Sequence, residues 1–90
     1  MFKDKLDKVN EIISNQLPIE ITNISGHKIT FSFAGNKSTT LDFDQDYLRD
    51  INKNDIPDLI NNTDLINLIS NNNYETIFIS EKGVFPYLGK

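Results

Sequence analysis

The residues best equipped for chemistry gather around one string. Asp42-Phe43-Asp44-Gln45-Asp46 sets carboxylates at alternate positions, the spacing with which a calcium loop supplies its first oxygens. The match stops there. The sixth position, where the sharp turn needs Gly, is Tyr47, and the twelfth, where a bidentate Glu closes the site, is Lys53. A second frame opened at Asp50, with Asn52 and Asn54 following, meets Asp55 and Asn61 at the same two places. No metal site is expected. Asp44 reads instead as the cap of a helix, and acids in a first helical turn suit the helix dipole.

Other chemistries have still less to work with. His27 is the single imidazole, and it falls at an expected turn near Ser25 and Ser32. A nucleophilic triad needs Ser, His and a carboxylate in mutual reach, and no G-x-S-x-G elbow is present. The chain has no Cys, so it has no thiolate nucleophile, thiolate zinc site or disulfide. It has four Gly and none in a phosphate-loop frame. Paired carboxylates across a sugar-sized cleft would need more room than this chain offers. The expectation is a protein that is not an enzyme and takes no cofactor.

Charge is the clue that remains. The formal net charge is −4. Residues 1–38 hold five Lys against four acids, whereas residues 39–90 hold nine acids against four bases. The acidity concentrates on Asp42, Asp44, Asp46, Asp50, Asp55, Asp58 and Asp64, with Tyr47 among them. An acidic patch around an aromatic anchor suits a protein partner with a basic surface, and it repels nucleic acid. The candidate partner-binding set is Asp42, Asp44, Asp46, Tyr47, Asp50, Asp55 and Asp58.

Hydropathy patterning predicts the elements that position this set. Phe2, Leu6, Val9, Ile13 and Leu17, widened by Ile12, recur at helical spacing up to Pro18. The period then changes to two. Ile19 and Ile21, then Ile29, Phe31 and Phe33, then Thr39, Leu41 and Phe43 alternate with polar residues. This predicts an antiparallel meander over residues 19–43, with turns at Ser25-Gly26-His27 and at Gly35-Asn36, the latter a two-residue hairpin. Short helices follow, capped at Asp44, at Asn54 or Asp55, and at Thr63, and closed by Asn71-Asn72-Asn73. Residues 55–70 fit one bent helix or two. A strand over Tyr74–Ser80 sets Ile77 and Ile79 opposite Phe78. Val84-Phe85-Pro86-Tyr87-Leu88 makes a last strand that Pro86 confines to a sheet edge.

Ninety residues, 38% of them hydrophobic, make one small domain over residues 1–90. Its expected class is α+β: an N-terminal helix, a three-stranded antiparallel meander, short middle helices and one or two C-terminal strands. No apolar run of membrane-spanning length and no secretory leader are read in the sequence, which predicts a cytoplasmic chain without membrane contact, monomeric or homodimeric. The Ile-, Asn- and Lys-rich usage fits an AT-rich coding sequence of bacterial or phage origin. The leading functional expectation is a small acidic inhibitor that occupies a partner's basic surface, as an immunity protein or an antagonist of a host defence nuclease does. The other is a self-associating structural or assembly protein using Val84, Phe85, Tyr87 and Leu88 or a strand edge.

Overall fold

The computed structural model describes residues 2–35, 37–71 and 74–88. Helix α1 spans Lys3–Ser14 and buries Leu6, Val9 and Ile13, the centre of the apolar stripe. It ends before the stripe does. The amides of Gln16 and Leu17 both turn back to the carbonyl of Ile13, so Leu17 packs on the core from a turn rather than a helix.

Strands β1 (Ile21–Ser25), β2 (Lys28–Phe33) and β3 (Lys37–Phe43) form the expected meander. Two details differ from the expectation. Phe33 pairs with Lys37, so the β2–β3 connection holds one residue more than a two-residue hairpin. Gly35 supplies the positive φ, at 84°; its neighbour Asn36 lies outside the described residues. The phase of β1 is also shifted. Thr22 and Ile24 face inward, while Ile21 is 63% exposed. Ile19 lies before the strand, its amide bonded to the carbonyl of Leu17. That turn breaks the alternation from Ile19 to Ile21, and a slip of one residue exchanges the faces.

A helical connection then crosses over. It comprises α2 (Gln45–Asp50), a 3-10 turn (Lys53–Asp55), α3 (Ile56–Asn61) and α4 (Leu65–Asn71). Residues 55–70 thus hold two helices, divided at Asn62-Thr63-Asp64. The Thr63 hydroxyl donates to the carbonyl of Leu59 and accepts from the Leu65 amide at 3.4 Å, but the first turn of α4 closes on the Asp64 carbonyl, so the cap position falls on Asp64, one residue later than expected. Asn72 and Asn73 of the expected closing run lie outside the described residues. Strands β4 (Tyr74–Ser80) and β5 (Gly83–Leu88) complete a five-stranded sheet in sequential order, with β3 and β4 parallel and every other pair antiparallel.

All helices cover one face of this α+β domain. Ile29, Phe31, Leu41, Phe43, Ile77 and Ile79 on the sheet meet Leu6, Val9, Ile13, Leu48, Ile56, Ile60, Leu65 and Ile69. Thr39 is the buried polar residue among them, and its hydroxyl donates to the carbonyl of Tyr74 at 3.1 Å. The other face carries no helix. The cross-strand register sets Asn23, Thr30, Thr40, Thr76 and Tyr87 in one row, and Ser25, Lys28, Asp42, Phe78 and Phe85 in the next.

An acidic crossover as candidate protein-binding surface

The crossover concentrates the acidity. Residues 44–71 carry six acids and two bases, equal to the net charge of the whole chain. In α1 three Lys balance three acids, and in the rest of the sequence outside residues 44–71 four Lys balance four acids. The chain therefore presents its excess negative charge from one connection in the helical layer.

Within that connection the aspartates differ in their duties. Asp44 is the cap of α2, its carboxylate accepting from the Tyr47 amide at 3.0 Å. Asp46 and Asp50 both pair with Arg49, at 3.2 and 3.1 Å. Such exposed pairs add little stability, but they reduce the charge offered to a partner. Asp55 and Asp58 are exposed and form no ion pair with the described residues. Tyr47 is half-buried, packed against the core. Partial burial raises its phenol above the ordinary 10.0, and the nearby Asp55 carboxylate adds to the rise.

Asp42 stands apart. It lies on the helix-free face of β3, in register with Lys28 and Phe78. The ring Nδ1 of His27 is 2.9 Å from the Phe43 carbonyl and 3.1 Å from Asp42 Oδ1. Both neighbours are acceptors, so Nδ1 carries a hydrogen, and the carbonyl takes it. Asp42 Oδ1 is buried beside the ring without a hydrogen bond of its own. His27 is thus not the freely exposed turn residue that the spacing suggests. It ties the β1–β2 turn to the end of β3, at the rim of an open depression shared with Asp44, Gln45, Asp46 and Phe78. The candidate set thus spans two elements: Asp44, Asp46, Tyr47, Asp50, Asp55 and Asp58 lie in the crossover, and Asp42, near the end of β3, meets Asp44 and Asp46 at this depression.

Two contributions were not legible as part of this surface. Asp4, Asp7, Lys8 and Glu11 of α1 line a shallow depression together with Lys53, because α1 packs beside α3. The other is Lys5, whose ammonium donates to the carbonyls of Leu48 and Arg49 at 2.8 and 2.7 Å. It thereby caps the C-terminal end of α2 from a different helix. In the sequence Lys5 sits at the margin of the apolar stripe, beside Leu6, where a polar residue is unremarkable.

Among the described residues no group of three or more His, Asp or Glu side chains could hold a metal ion, and no helix is long and apolar enough to cross a membrane. Compared with known proteins, the chain matches no protein-family model, no curated protein and no solved structure.

The Tyr47 phenol gives a pH prediction. Its folded-state value lies above the unfolded one, so its contribution to stability is complete below about pH 10 and is lost as pH rises through the folded value. Urea titrations between about pH 9 and 11 should show stability falling with pH, and Tyr47→Phe should flatten that slope.

Proposed function

We propose that the chain is a non-enzymatic binding protein that inhibits a partner by laying its acidic crossover on the partner's basic surface. The observation that carries this reading is the equality between the net charge of the chain and that of residues 44–71. The crossover carries the charge that attracts a cationic groove, and the other residues sum to zero. Tyr47, held at the base of α2, supplies the aromatic side chain that often anchors such an interface. A nuclease in the cytoplasm fits the chemistry of the target: its nucleic-acid groove is basic, and an acidic surface competes for it. An immunity protein or an antagonist of a defence nuclease works in this way.

Asp55→Lys combined with Asp58→Lys is the discriminating variant, because neither carboxylate caps a helix or pairs with a cation among the described residues. Affinity capture from lysate with the native chain should retain a basic protein that nucleic acid displaces. The double variant should bind that protein with an association rate lowered at least about tenfold at low salt, and with a weaker salt dependence. Equal association by the two forms would show that the crossover is not the contact surface.

A further inference from the structure

We draw no further inference here: the strongest candidate, the open depression where His27 meets Asp42, Asp44 and Asp46, is a cluster of carboxylates whose buried oxygen without a hydrogen bond, Asp42 Oδ1, lies against the His27 ring, so nothing independent of the cluster points to a ligand there.

Discussion

Phe43→Ala will lower the free energy of unfolding by about 3–5 kcal/mol, the cost of removing a buried aromatic ring and leaving a cavity. For a domain of this size that is a large share of the whole, since folded chains are held by about 5–15 kcal/mol. Phe43 is 1% exposed and closes β3 at the point where the crossover begins. Its backbone is fixed from both sides: its amide donates to the His27 carbonyl at 3.1 Å, and its carbonyl accepts from the His27 ring. The next amide, that of Asp44, donates to the Ile79 carbonyl at 2.8 Å. A cavity at Phe43 therefore loosens the entry to α2 as well as the core. Phe85→Ala is the control from the helix-free face. Its residue is 41% exposed, so less apolar area returns to water and the loss should stay below about 2 kcal/mol. Urea denaturation at low micromolar concentration measures both. Comparable losses would mean that the helix-free face is covered in the isolated chain.

Local pattern carried most of the fold. The helical stripe of α1 and the alternation in β2, β3 and β4 are short-range signals, and burial follows them: Leu6, Val9, Ile13, Ile29, Phe31, Leu41, Phe43, Ile77 and Ile79 are all buried. The Asp44 cap is equally local, since it depends on an amide three residues away. What local pattern lacks is partner choice. Nothing within β4 says that it pairs parallel to β3, because that neighbour is reached only after the crossover has returned the chain across the sheet. The phase of β1 departs from the local pattern for a related reason. Ile19 and Ile21 fit an alternation on paper, but the turn at Leu17 takes Ile19 out of the strand, and Thr22 can bond to Asn10 of α1 at 2.8 Å only from the inner face.

The candidate surface divides in the same way. The acidic run was legible as composition, and its concentration in a single connection follows from the topology. Which acids are free was not legible. Arg49 pairs with both Asp46 and Asp50, while Asp42 lies beside the His27 ring, a contact made only when β1 and β2 fold back on β3. Lys5 is the clearest long-range case, for its partners lie more than forty residues away.

Lys5→Ala should cost about 1.5–3 kcal/mol, the range for hydrogen bonds made by a charged group, and more than any exposed ion pair in the molecule. The carbonyls of Leu48 and Arg49 lie in the last turn of α2, where backbone acceptors have no partner within the helix and carry the negative end of its dipole. The Lys5 ammonium satisfies both and fastens α1 to the crossover. Lys5→Met separates the two contributions. It keeps an apolar stem against the core and removes only the cation, so the stability it recovers relative to Ala measures packing. The remainder measures the cap. Salt distinguishes a cap from general electrostatics. Removing a positive charge beside six acids raises repulsion in the crossover, and that part should fade at about 1 M salt, where the screening length is about 3 Å. The hydrogen-bonded part acts at 2.7–2.8 Å and should persist. Amide exchange gives the local reading: α2 should lose protection first in both variants, at Leu48 and Ile51, whose amides close its turns on the carbonyls of Asp44 and Tyr47. If stability is unchanged in Lys5→Met at high salt and α2 keeps its protection, the two carbonyls are satisfied by water and the clamp is surface decoration. If α2 opens, then the same lysine that holds the acidic crossover rigid also sets how well it is organised for a partner, because a pre-ordered surface loses less entropy on binding.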